Sequence, residues 1–485
     1  MRATLRKDLP IDLSHRHTSI ANGMKQPFSH AKQYIAQLKH IEQQISQNQL
    51  QEAALELNSL ARTAANDPRL FLLGSRLAEA ARNPTGMLEA ARKAHQLAPQ
   101  WPIATLHLAA VLASRGEAGE AGEAVEALAM AEHAVRQATQ MPVDSDLLTK
   151  AAAVAQRLNQ HLLAMQWLRQ AEKASPDDLN IRYKIGLTLV YAGESASAVE
   201  IFTDILRHRP ADPALLIARM QAYLGTQQTE QAIRDGEVLL GMEPESEVYQ
   251  FYLDIARGIT PKTQPVSVVV GLFDGYAARF DRHLVVQLHY KLPRDVAQLI
   301  GQWHPDRKGD VLDLGCGTGL LGACLGPIEG VLVGVDLSGE MIEHASRHGV
   351  YDSFHRVNLL DALQATPENL YHVITALDVL GYVGSLDIVI PNAHRILVPG
   401  GRFVFSCEAG VDGGADYALP TNYRYTHQRS YVQHLLEEAG FEDIEIEDRV
   451  LRFEAGEPVS GFLVTARKPP AIERKTARKR MVKSD

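Results

Sequence analysis

A chain of 485 residues exceeds what one hydrophobic core organises, and its 46% apolar content supports compact folding in two or more domains. Three scattered cysteines, Cys316, Cys324 and Cys407, exclude a disulfide framework or a zinc site and fit a reducing cytoplasm. The net charge of −9 is uneven: from Arg467 to Asp485 eight Lys or Arg face two acids, so this end is +6 and the rest −15. So acidic a body repels phosphates and disfavours nucleic acid as a partner. No window approaches the ~20 apolar residues of a membrane helix, and the polar start lacks the apolar core of a signal peptide. The expectation is a cytoplasmic protein without a membrane partner.

Residues 1–30 read as a flexible extension. From 31 to 260 the chain is rich in Ala, Leu, Gln and Glu, with helical spacing and almost no strand signal. Pro142, Pro176, Pro210 and Pro244 recur at a constant 34-residue interval. The clearest unit runs from Leu179 to Asp212, with Gly186 where two helices approach and Ala198 and Phe202 on the second helix. Ala164 and Ala232 lie one period either side of Ala198. This pattern resembles tetratricopeptide (TPR) repeats. Upstream the phase degrades: Pro99 lies 43 residues before Pro142, and GEAGEAGEA at 116–124 looks like an insertion. Helices over 50–65, 70–81 and 86–97 are read as divergent repeats. Such a stack exposes a concave face that receives a protein or peptide. The alternative is that it only dimerises the enzyme or braces its other half.

Residues 261–265 read as a linker, and beyond Pro265 strands alternate with helices. Helices are predicted near 274–282, 283–301, 318–326, 338–348, 385–396 and 427–439. Strands are predicted at 310–314, 331–335, 353–357, 371–376, 401–407, 443–453 and 459–467. The alternation predicts a doubly wound, mainly parallel sheet, and the last two strands an antiparallel edge. Residues 469–485 read as a basic disordered tail.

The most informative segment is VLDLGCGTGLLGACL at 311–325, followed by VLVGVDLSGEMIEHA at 331–345. A buried strand runs into a turn containing Gly315, Gly317 and Gly319, where a ligand can lie against bare backbone. A second strand ends in Asp336, 21 residues after Gly315, placed to accept both hydroxyls of a ribose. The third glycine is at 319 rather than 320, which is wrong for a dinucleotide. Asp313, two residues before the first glycine, suits a ligand with an ammonium group and opposes one with two phosphates. Both details favour S-adenosylmethionine.

Residues 265–468 resemble the class I S-adenosylmethionine-dependent methyltransferases, whose first motif is an acid followed by G-x-G-x-G. FDGYAARFDRHLVVQLHYKLP at 273–293 resembles the opening of bacterial methyltransferases that carry TPR repeats. The resemblance implies a Rossmann-like, seven-stranded sheet with helices on both faces, over 261–468. The implied cofactor residues are Asp313, Gly315, Cys316, Gly317 and Gly319, then Asp336, Leu337 and Met341, then Asn358, Leu359 and Leu377. Asn358 stands where the family often has Asp, yet an Asn can accept from the adenine amine. Asp378, in ALDVLGYVG at 376–384, would face the sulfonium and ammonium, bind a substrate amine, or act as base.

His427, in YRYTHQRSY at 423–431, falls near the substrate mouth as a candidate base, or with Thr426 simply opens the next helix. Tyr276 and Tyr382 are expected as hydrogen-bonding walls. No metal is expected: His344 and His348 share a helix face, but at a helix end that favours histidine in any case. The leading expectation is a methyltransferase whose repeats recruit or orient a protein or small-metabolite acceptor. Its rival is a non-catalytic interaction scaffold whose methyltransferase fold only binds the cofactor.

Overall fold

The computed structural model describes residues 32–81, 83–116, 121–138, 144–274, 290–454 and 457–471. The chain divides into two compact units, Met1–Gln228 and Thr229–Asp485. The expected 1–30 extension, Tyr276, and all of the basic tail beyond 471 lie outside the described residues. Among the described residues no helix is long and apolar enough to cross a membrane.

The described part of the first unit is helical, and the sequence period, which continues through helices Thr229–Met242 and Glu247–Ala256 of the second unit, reappears in how the helices start. Asp144, Asp178 and Asp212 each cap a helix, beginning at Ser145, Leu179 and Pro213, and Ser246 caps a fourth at Glu247. Each side chain accepts a backbone N–H that the first turn leaves without an intrahelical partner. The second helices, His161–Ala174, Ser195–His208 and Thr229–Met242, begin at the same interval. Ala164, Ala198 and Ala232 are fully buried. Gly186 lies under the Phe202 ring, where an added Cβ would come within 2.4 Å of it. Upstream, Leu50–Thr63, Pro68–Ala80 and Pro84–Leu97 are helices close to the predicted bounds.

In the second unit one mixed sheet carries the strands β1 (Val311–Leu314), β2 (Leu332–Asp336), β3 (Ser353–Arg356), β4 (Tyr371–Ala376) and β5 (Leu397–Ala409). They lie in the order β3-β2-β1-β4-β5, all parallel. Two short strands, β6 (Tyr417–Ala418) and β7 (Thr426–His427), extend from the end of β5. A long antiparallel ribbon, β8 (Glu442–Glu454) and β9 (Glu457–Arg467), joins through β9. The sheet therefore has nine strands rather than seven. The extra pair forms where His427, expected to open a helix, stays extended beside β5, so the helix begins only at Arg429.

Side chains alternate across the sheet into two cores. Leu312, Leu314, Ile374, Phe403 and Phe405 face helices Leu359–Ala365, Val389–Ile396 and Arg429–Glu438. Val311, Leu332, Val373 and Val404 face helices Leu292–Trp303 and Leu320–Leu325.

The predicted linker at 261–265 is instead stitched into this unit. Lys262 O accepts the N–H groups of Gly384 and Ser385, Thr263 bridges Val383, and Gln264 N–H donates to Tyr382 O. Tyr425 donates its hydroxyl to Pro261 O at 2.9 Å. A turn-rich composition marked the segment as a loop but carries no signal of what it docks against. A helix, Val266–Asp274, follows at once.

Gly186→Val places branched bulk against the Phe202 ring, and we expect a loss of about 1–3 kcal/mol in the urea unfolding of the full chain. Gly193→Ala is the comparison: open space surrounds Gly193, but its φ of +79 adds only a backbone cost of about 1 kcal/mol.

Candidate functional site

A cavity of about 380 Å³ opens beyond the carboxyl ends of β1, β2 and β4. That is where an open α/β sheet binds ligands, because strand order reverses there. Its walls include Asp313, Gly315, Cys316 and Gly317, then Asp336, Leu337 and Met341, then Asn358, Leu359, Leu377 and Asp378. Twelve positions scattered over 66 residues of sequence are thus gathered at one cavity, counting Thr318 with them.

The turn after β1 can pass close to a ligand because of its backbone. Gly315 and Gly317 have φ of +66 and +53, and a Cβ on Gly315 would lie 2.4 Å from Val379 Cγ2. Gly319 is not among the lining residues. It initiates helix Leu320–Leu325 with φ +82, and a Cβ there would lie 2.9 Å from that of Ala345. Gly319 serves helix packing rather than ligand contact, a distinction that spacing cannot make.

Asp336 Oδ2 accepts the Gly317 N–H and its Oδ1 accepts the Ser338 N–H, both at 2.8 Å. The carboxylate so links the two strand ends while lining the cavity. Ser338 also caps helix Gly339–Ser346 by accepting the Met341 N–H, which seats Met341 in the wall. Asn358 caps helix Leu359–Ala365: its Oδ1 accepts the Leu360 N–H at 2.9 Å. The oxygen expected to read adenine thus already serves as an N-cap, with its second lone pair and the amide N–H groups left for a ligand.

Asp313 is buried at 3% exposure and receives two hydroxyls, Tyr351 to Oδ2 at 2.7 Å and Thr375 to Oδ1 at 2.8 Å. Burial pushes its carboxyl up to about 6, with those hydroxyls pulling down and Asp336 pushing up. Neither Tyr351 nor Thr375 belongs to a motif, and sequence alone did not single them out.

The opposite wall is charged. Asp378 adopts φ +55 and its Oδ1 accepts from Arg424 Nη2 at 2.6 Å and Arg452 Nη1 at 2.8 Å. Glu408 Oε1 also takes both guanidiniums, with Arg452 Nη2 at 2.7 Å and Arg424 Nε close by. Against the pull of burial, the two arginines hold the Glu408 carboxyl below its ordinary range. Arg424 further donates to the Tyr382 hydroxyl at 2.5 Å and lies 4.8 Å over that ring. Its guanidinium fills the space that a Cβ on Gly381 would take.

Arg452 reaches the cavity because the β8–β9 register shifts between Val450 and Arg452. Leu451 and Arg452 consequently both turn inward, at 1% and 2% exposure. The bulge hides this arginine from any reading of strand alternation.

His427 is not in the cavity wall. It is fully buried, and its Nε2 donates to Val383 O at 3.0 Å and Gly384 O at 2.9 Å. Burial lowers its pKa to about 4, so the ring is neutral and braces the turn after β4 rather than serving as a base at the substrate mouth. His348 Nε2 lies 3.1 Å from Thr318 O, a structural contact. Among the described residues no group of three His, Cys, Asp or Glu could hold a metal ion.

Two measurements follow. The unfolded chain takes up a proton near pH 6.5 that native His427 resists until about 4, so stability present above 6.5 is lost as pH falls. We expect urea unfolding to lose about 3 kcal/mol from this group by pH 4, and His427→Gln to remove that part of the slope. For the cavity, Asp336→Ala removes a charged acceptor from ribose and releases the Gly317 amide. Calorimetry should show S-adenosylhomocysteine binding weakened by about 2–4 kcal/mol.

The family model of a methyltransferase domain matches residues 284–446. Among curated proteins, the ubiquinone biosynthesis O-methyltransferase of Pseudomonas savastanoi pv. phaseolicola is 30% identical over 125 residues, 24% of this chain and 53% of that protein. The demethylmenaquinone methyltransferase of Symbiobacterium thermophilum is 30% identical over 141 residues, 27% of this chain and 56% of that protein. The chain thus spans about half the length of the curated relatives it matches. Among solved structures, magnesium protoporphyrin IX methyltransferase from Synechocystis PCC 6803 with bound S-adenosylhomocysteine is 17% identical, covering 42% of this chain and 99% of that one at a TM-score of 0.34. Residues 284–446 are a methyltransferase domain, and its cofactor is S-adenosylmethionine.

Proposed function

We propose that this protein transfers a methyl group from S-adenosylmethionine to an acceptor that its N-terminal, TPR-like hairpins recruit or orient. The observation that carries the reading is the convergence of Asp313, the glycine turn and Asp336 on one cavity. The residues fit the cofactor: bare backbone at Gly315 and Gly317, a ribose acceptor at Asp336, a buried acid for an ammonium group at Asp313, and apolar Leu337 and Met341 for adenine.

When bound, the cofactor supplies a methyl group already activated on a sulfonium. An acceptor's lone pair would take that methyl group, leaving the donor as a neutral thioether. The protein's part is to align the partners and keep water away. Asp313 and Asp336 hold two ends of the donor. Val269, Leu272 and Phe273 of helix Val266–Asp274 supply an apolar wall that keeps water from the reacting centre. Asp378 and Tyr382, fixed by Arg424 and Arg452, offer the acceptor an oxygen for its X–H proton and a phenol. No separate base is required, since the acceptor's proton can leave to Asp378 or solvent once the bond has formed.

A small aromatic hydroxyl compound is the second reading for the acceptor, favoured by the quinone-linked names of the relatives and by the Phe273 and Tyr382 rings, 5.2 Å apart edge to face. The rival of a non-catalytic scaffold makes the opposite claim about turnover. The test incubates full-length protein and Gly317→Val with methyl-labelled cofactor in a lysate, then separates macromolecular from small-molecule label. Label that depends on Gly317 supports a transferase, and the fraction holding it assigns the acceptor class. Equal label with both proteins would sink the catalytic reading in favour of the scaffold.

A further inference from the structure

The loop between helix Gly339–Ser346 and β3 reaches over the glycine turn and holds it at several points. Tyr351 donates its hydroxyl to Asp313 Oδ2 at 2.7 Å, and the same oxygen accepts the Gly322 N–H at 3.2 Å. Its ring covers the helix start so closely that a Cβ on Gly322 would lie 2.3 Å from Cε2, and one on Gly319 3.1 Å. Phe354 backs that ring, with centroids 4.8 Å apart. Three residues earlier, His348 grips Thr318 O. The clasp therefore spans the strand end, the turn and the first helical turn beyond it.

We propose that Tyr351 is a positioning residue for the cofactor, its phenol fixing the Asp313 carboxylate that receives the cofactor's ammonium group. This deepens the cofactor assignment above and rests on it. Burial raises the Tyr351 pKa, so the group stays a phenol and a donor. The titratable and polar groups facing Asp313 among the described residues are Tyr351, Thr375 on β4, Asp336 at the end of β2, Cys316 in the turn, and Tyr290 before helix Leu292–Trp303. Burial and Asp336 favour the neutral acid, while the two hydroxyls favour the carboxylate. Tyr351 is thus one of the few groups keeping Asp313 charged at neutral pH. Without its hydroxyl the acid takes a proton at higher pH and offers an ammonium group no charge.

The test is calorimetric titration of S-adenosylhomocysteine into the full-length protein, Tyr351→Phe and Thr375→Val between pH 5 and 8. Wild type should bind with constant affinity above about pH 7 and lose affinity below about 6, where Asp313 becomes neutral. Tyr351→Phe keeps the ring and its packing, so its loss of affinity should be smallest at pH 8, where Asp313 is ionised in both proteins. Its break should move up by about one pH unit, the worth of one charge-assisted hydrogen bond, leaving binding about fivefold weaker near pH 6. Thr375→Val should move the break the same way. 5′-Methylthioadenosine, which lacks the ammonium group, should show no acid limb with any of the three. A break at the wild-type pH in both variants, or an equal loss at every pH, would overturn the role of Tyr351. Failure of wild type to bind at pH 8 would instead overturn the cofactor assignment itself.

Discussion

Two guanidiniums shared between two carboxylates, Glu408 buried and Asp378 partly so, tie the second unit together around its cavity. Arg424, Asp378, Arg452 and Glu408 form a closed ring in which each carboxylate oxygen named above accepts from both arginines. The ring members come from four places: the segment before β7, the turn after β4, the bulge of β8, and β5. Taking such charges out of water is costly, and similar rings elsewhere are often no more stable than an apolar core. Each member has partners on two other segments, so the four chain segments are tied to one geometry. The left-handed backbone of Asp378 and the register shift at Leu451 are local costs that this geometry offsets.

The two walls of the cavity use opposite electrostatic strategies. Around Asp313 only neutral hydroxyls help the charge, and burial holds the carboxyl above its ordinary range. Around Glu408 full cations do so, and the carboxyl stays far from neutrality. A carboxylate without a cationic partner gains most when a cationic ligand arrives, whereas one already paired gains little. The first arrangement suits binding, and the second suits a fixed wall.

The donor side of the site was legible from sequence because motif residues meet it through backbone and through strand ends. Gly315, Gly317, Asp336 and Met341 line the cavity as their positions after β1 and β2 imply. The misplaced residues share a physical cause. Gly319 sits in the right segment, but helix packing claims it, while Asn358 lines the cavity and caps a helix at once. His427 was assigned to a helix start, and one short strand pairing put it inside instead. Arg424, Arg452, Tyr351 and Thr375 come from loops, a bulge and mid-strand, and only long-range contacts bring them to the cavity. The helical half was legible for a different reason: caps and buried alanines are local, so a 34-residue period survives as spacing.

The stretch at 261–264 is both the entry of the chain into the sheet and a side of the cavity, through Thr263 and Gln264. Just upstream, Phe251 and Tyr252 set their rings 6.5 and 6.3 Å from that of Tyr423, the neighbour of Arg424. The matched methyltransferase domain begins at 284. A catalytic module excised at that homology border would keep its donor-binding turn but lose one flank and the aromatic seat beneath its charged wall. The segment ahead of the matched domain therefore shapes one side of the cavity without touching any motif within it.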